Sequence, residues 1–281
     1  MRFGLNIVPV RPAELGELAA RAEELGFESL WAGEHLLTPV ELGDGYPGGR
    51  KPPFAPDSRF TELFATLSFL ASVTRRVRLG TGVLILPLHP VVPLARAIAT
   101  VDVFSGGRLT LGLGVGWMRE EFAAVGQGFT DRGRRMDEML TVLDRLFGAD
   151  RPSFEGEFHH LPPMGFEPKP VQRPHPPFLI GGSSAVALRR AARVGDGWYG
   201  GQEPPGALGP VVAELNRLRA EYGRDGESFE ITALLGWGQE FDAGLVRAYA
   251  EAGVHRLVVT PWARSREALA AIDRFARSAG L

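Results

Sequence analysis

Two short apolar strands, each carrying glycines, flank a single helix between residues 77 and 117, and this unit limits what the whole chain can become. The run Val77-Arg78-Leu79-Gly80-Thr81-Gly82-Val83-Leu84-Ile85 is short, apolar and β-branched, the pattern of a strand buried on both faces of a parallel sheet. Leu109-Thr110-Leu111-Gly112-Leu113-Gly114 repeats it. Between them Pro93 sits in a first helical turn, Leu94, Ile98, Val101 and Val103 to Phe104 form an inward stripe, and Ser105-Gly106-Gly107 stops the helix. Glycine weakens a strand, so glycines clustered at strand ends imply that some group approaches the backbone closely.

The same alternation runs through the chain. Strands are predicted at 3–7, 29–32, 177–180, 197–199, 229–235 and 256–260, and helices at 13–25, 61–73, 132–147, 185–194, 210–222, 245–252 and 266–279. Residues 118–129 read as irregular, and 153–169, with its prolines and phenylalanines, as a small β-hairpin. Strand and helix thus alternate about eight times without a break in composition, which predicts a (β/α)8 TIM barrel with loop insertions as a single domain over 1–281. An open doubly wound sheet also alternates in this way, but no Rossmann half separates from a second domain.

With 281 residues, 44% of them hydrophobic, the chain can bury a large core. Its formal charge of -2 and lack of long basic runs argue against nucleic acid and anionic membrane as partners. The absence of cysteine excludes disulfides, thiolate metal ligands and thiol nucleophiles. No apolar leader or membrane-length run is visible, so the cytoplasm is the expected location.

Barrel enzymes place their chemistry just after the strands, which directs attention to Glu34 and His35, to 82–86, to 114–117 and to 181–184. His35 suits either proton transfer near neutral pH or anchoring of the following loop. Glu34, at the last strand position, suits a structural hydrogen bond or ion pair, and His89, between Pro87 and Pro90, suits loop shaping. Gly181, Gly182, Ser183 and Ser184 join a strand to a helix. Their amides and hydroxyls can hold a phosphate, although the motif by itself favours simple helix capping. Gly112-Leu113-Gly114-Val115-Gly116 misses the dinucleotide fingerprint in glycine spacing and in lacking a following helix and acidic residue. His159 and His160 are adjacent in a strand, so they face opposite ways, and no metal site is expected. Trp31 belongs to the core, whereas Trp117 is a candidate for lining a cavity.

These pieces together resemble the bacterial luciferase-like monooxygenase superfamily, and within it the branch that uses the deazaflavin coenzyme F420. The carriers are Ala22-Glu23-Glu24-Leu25-Gly26-Phe27-Glu28-Ser29-Leu30-Trp31, Glu34-His35, Leu79-Gly80-Thr81-Gly82-Val83, Gly106-Gly107-Arg108-Leu109, the segment 112–117 with Glu120-Glu121-Phe122, and Gly181-Gly182-Ser183-Ser184 with Gly195-Asp196-Gly197-Trp198. The resemblance implies a barrel with the tricyclic ring in its mouth, a cis peptide between Gly82 and Val83 supporting the ring, a phosphate grip at Gly181, Gly182, Ser183 and Ser184, and His35 as the catalytic group. It also implies a homodimer, with helices 61–73 and 93–104 as contacts. Two departures narrow the function. Trp117 stands where deazaflavin sugar-phosphate dehydrogenases carry a glutamate, and Val115 where flavin-dependent members often carry a phosphate-gripping arginine. The expected activity is therefore F420-dependent hydride transfer to or from a small organic substrate. The alternative is an FMN-dependent monooxygenase fed by a partner reductase, and a third reading is a non-catalytic cofactor-binding barrel. The segment 34–59, with Tyr46, Arg50, Lys51 and Phe54, is the expected specificity element, since 236–242 is too short for a long lid.

Overall fold

The computed structural model describes residues 1–8, 10–41 and 54–281. In chain order the strands are β1 (Arg2–Asn6), β2 (Ser29–Ala32), β3 (Arg78–Ile85), β4 (Leu109–Gly114), β5 (Phe154–Glu155), β6 (His160–Leu161), β7 (Phe178–Gly181), β8 (Gly197–Tyr199), β9 (Glu230–Leu234) and β10 (Arg256–Val259). The helices are α1 (Leu15–Glu24), α2 (Leu63–Val73), α3 (Val91–Ser105), α4 (Arg119–Ala124), α5 (Arg132–Gly148), α6 (Ala185–Val194), α7 (Pro205–Glu221), α8 (Ala243–Glu251) and α9 (Ala268–Ala279). Among the described residues eight strands close into a parallel barrel in the order β1-β10-β9-β8-β7-β4-β3-β2, and β5 with β6 forms a separate antiparallel hairpin.

Three differences from the sequence expectation have simple causes. On α3 the inward positions 94, 98, 101 and 105 recur every three or four residues, so Val103 and Phe104 fall between them and face out instead of inward. The stretch expected to be irregular contains α4, where Glu121, Phe122 and the preceding cap residue Met118 turn inward while the charged Arg119 and Glu120 face out. So short a helix has too few turns to display its period. Helix α7 begins at Pro205, not Pro210. Pro205 takes the first helical position, and the fully buried Leu208 anchors the added turn, outweighing the one hydrogen bond that Pro210 cannot donate.

The largest core fills the layer between barrel and helices. A second cluster plugs the barrel interior: Trp31, Leu179, Tyr199 and Val258, with Val83 and Leu234 against it. Trp31 is 1% exposed and its indole N–H donates to Ser29 Oγ at 2.7 Å. This plug explains glycines low in the barrel, among them Gly80 and Gly112, whose clustering suggested an approaching ligand. A Cβ on Gly4 or Gly80 would collide with the Trp31 ring, and one on Gly112 with the Thr81 carbonyl. Only the outer glycines remain available to the mouth.

Strand β3 pairs regularly with β4 up to Thr81, then shifts register before Leu84. The Gly82–Val83 peptide lies in that interval and is cis. The Val83 side chain sits between Gly114 and Gly181, where an added Cβ would come within 2.7 and 3.3 Å, respectively, of its methyl groups. Small residues on β4 and β7 thus make room for Val83 on the barrel floor.

Candidate active site

The carboxyl ends of the strands surround an open cavity of about 460 Å³. Gly82, Val83, Gly114 and Val115 line it from β3 and β4, Gly181, Gly182 and Ser183 from β7 and its loop, and His35, Phe54, Phe60, Trp117 and Trp237 from the walls. Ser184 is absent from the lining. Its hydroxyl accepts the Ala187 N–H at 3.2 Å and caps α6, the role the motif alone favoured. Tyr46, Arg50 and Lys51 lie outside the described residues, whereas Phe54 reaches the site.

His35 is held from several sides. Its ring lies 4.5 Å from Phe54, 5.1 Å from Phe60 and 6.0 Å from Trp117, measured between centroids. Nδ1 stands 3.2 Å from both oxygens of Glu121, a carboxylate that is 1% exposed and also accepts the Leu36 N–H at 2.7 Å. Opposite an ionised carboxylate, which only accepts, Nδ1 is the donor, and in the neutral ring Nε2 is then the acceptor. The result is an imidazole oriented by a buried carboxylate at the cavity wall.

Glu34 takes the structural role expected of it. One oxygen accepts the Ile85 N–H at 2.9 Å and the other meets His89 Nε2 at 2.8 Å, which ties β2 to the end of β3. His159 and His160 do diverge: the former meets Glu138 at 2.7 Å, and the latter is exposed beside Glu155. Tyr199 closes the floor under Gly82, and burial pushes its hydroxyl well above the ordinary phenol range, the charge of Arg256 only partly opposing the shift.

The lining or supporting groups not anticipated from the sequence include Glu121, Tyr199, Glu203 and Trp237. Glu121 occupies the inward register of α4 between Met118 and Phe122, and an acid in such a position signals a buried carboxylate. Tyr199 and Glu203 belong to the end of β8 and the segment after it, where no glycine-serine or histidine motif marks the strand end as part of the mouth.

The family profile described as luciferase-like monooxygenase matches residues 2–236. The chain belongs to the luciferase-like monooxygenase family. Among luciferase-like relatives, an uncharacterised protein of Mycobacterium tuberculosis is 35% identical over 218 residues, covering 76% of this chain and 74% of its own length. The FMNH(2)-dependent dimethylsulfone monooxygenase of Pseudomonas putida is 30% identical over 220 residues, with 76% of this chain and 55% of that enzyme covered. The F420-dependent glucose-6-phosphate dehydrogenase of Amycolatopsis mediterranei is 33% identical over 192 residues, with 66% and 53% covered. This chain therefore spans about half the length of the latter two. In fold it is similar to a solved F420-dependent secondary alcohol dehydrogenase, with a TM-score of 0.81 at 17% identity over 99% of this chain and 97% of the other. The luciferase-like site is that of an oxidoreductase with a flavin-type cofactor.

The cavity fits such a cofactor. Its volume lies in the range of small-molecule sites, its walls are mainly apolar, and the missing side chains of Gly82, Gly114 and Gly181 keep its floor open.

Proposed function

We propose that this protein is a cytoplasmic coenzyme F420-dependent oxidoreductase that moves a hydride between the deazaflavin and a small organic substrate. The observation that carries this reading is the His35–Glu121 pair set in an apolar wall over the Gly82–Val83 floor. Gly82 and Val83 would support the ring, and the backbone amides of Gly182 and Ser183 would hold the phosphate. Bound there, a deazaflavin supplies the carbon that accepts or releases the hydride. The chain's own part is proton handling and exclusion of water: His35 Nε2 would take a proton from the substrate or return it, while Phe54, Phe60 and Trp117 keep that exchange dry.

Val115 supports F420 over FMN, because no arginine stands in the β4 segment to balance a phosphomonoester. The Pseudomonas relative supports a second reading, an FMN-dependent monooxygenase served by a reductase. Equilibrium binding followed by fluorescence separates them. F420 should bind and FMN should bind weakly; tight retention of FMN with no affinity for F420, together with oxygen uptake on adding reduced FMN, sinks the first reading.

We also propose that two copies pair through α2 and α3. Phe69 and Val73 on α2, with Val103 and Phe104 on α3, leave apolar surface uncovered on adjoining helices, and Phe104 is 65% exposed.

A further inference from the structure

The loop after β8 brings a carboxylate to the phosphate end of the cavity. Ser183 Oγ donates to Glu203 Oε1 at 2.9 Å, and Glu203 Oε2 is sealed from solvent with no hydrogen-bond partner. Among the described lining residues there is no lysine or arginine, and the other lining carboxylate, Glu34, has both oxygens engaged by Ile85 and His89. Tyr249 approaches the same residue, but its hydroxyl donates to the Glu203 carbonyl and leaves the carboxylate untouched. Glu203 is therefore a carboxylate with no cationic side chain beside it in the lining, and its Oε1 occupies the one side-chain hydroxyl, that of Ser183, with which the loop could grip an anion.

We infer that Glu203 decides which cofactors the mouth admits, by opposing a doubly charged phosphomonoester at Ser183 while tolerating a singly charged phosphodiester or an uncharged chain. The inference rests on the cofactor reading above. A phosphomonoester carries close to two negative charges at neutral pH, a diester one, and like charges a few ångströms apart repel strongly in a half-buried site. The hydroxyl of Ser183 has to leave one acceptor to serve the other, so carboxylate and phosphate compete for the same donor.

The test compares FMN with riboflavin, which differ only in the phosphate, and uses fluorescence quenching as its readout. The native protein should bind FMN no tighter than riboflavin. Glu203→Gln should tighten FMN about tenfold or more, leave riboflavin unchanged, and tighten F420 by less than FMN. Unchanged riboflavin affinity also reports that the variant is folded. Ser183→Ala, which removes the shared donor but keeps the carboxylate, should leave the preference for FMN low. An equal shift of FMN and riboflavin in Glu203→Gln, no shift in either, or a native protein that already prefers FMN more than tenfold overturns the inference. That ratio needs no F420, whereas the cofactor reading stands or falls on F420 affinity. If neither flavin binds, F420 and its tail-free deazaflavin core form the same comparison, and absence of binding by all four overturns both.

Discussion

In the proposed reaction Glu121 would make His35, otherwise an ordinary ring at a strand end, a directed proton acceptor. Removing the acid by Glu121→Ala takes away the partner of Nδ1 and strands the Leu36 N–H. The expected outcomes are a loss of about 1–3 kcal/mol in stability and a shift of His35 from the Nδ1–H toward the Nε2–H tautomer, read by long-range proton–nitrogen correlation on labelled protein. An unchanged tautomer would show that the ring is set by its aromatic neighbours instead. At this scale the sequence displays which residues can do chemistry but not which are paired. Glu34 and His35 are neighbours in the chain, yet the partner of His35 lies 86 positions away and that of Glu34 lies 55. Ser184 shows the reverse case, since helix capping is local and was legible from the motif alone.

Elements were legible wherever their period had room to repeat. Strands β2, β4 and β8 and helix α6 begin and end where the sequence places them, because apolar runs and glycine or serine boundaries coincide there. Helix α4 is too short for that, and α7 hides its start behind a second proline. The glycines are the instructive case. Their clustering signals close approach, but the approaching group at Gly4 and Gly80 is Trp31 of the barrel itself, so the same residue type marks internal packing low in the barrel and cavity floor near its rim. At element scale the proposed pairing of α2 and α3 also has its test. Phe69→Asp with Phe104→Asp should convert a dimer to a monomer in sedimentation velocity while leaving the circular dichroism intact; a monomeric native protein removes the proposal.

The whole molecule places its charged belt at the amino ends of the barrel strands, away from the mouth. Arg256 is 1% exposed and joins Glu28, at 2.7 Å, with Glu230 and the Trp31 ring above. Burial raises the Glu28 carboxyl, but the hydrogen bonds and charge of Arg256, with lesser help from Ser29 and Arg2, outweigh it and hold the group below its usual 4.5. His255 is held below its usual 6.5, first by burial and then by the charge of Arg2. In both windows the unfolded chain binds more protons than the folded one, so stability rises with pH. The His255 contribution is present above 6.5 and is lost as pH falls below it, and the Glu28 contribution is present above 4.5 and is lost as pH falls further. Denaturant titrations across this range should show a two-stage decline. Glu23 and Glu138, where burial is outweighed by hydrogen bonds that also hold them low, share the lower stage, so Glu28→Gln should make it shallower and spare the upper one; a lower stage unaffected by that change contradicts the assignment.

The interior plug has a kinetic meaning as well. Trp31, Leu179, Tyr199 and Val258 stop the barrel between its charged base and its mouth, so the cavity is a blind well with its opening at the strand ends. Two guests in such a well must queue. On the proposed reading, whatever lies against Val83 would enter first and depart last, with its partner in the reaction coming and going above it, a compulsory order that product-inhibition patterns would reveal.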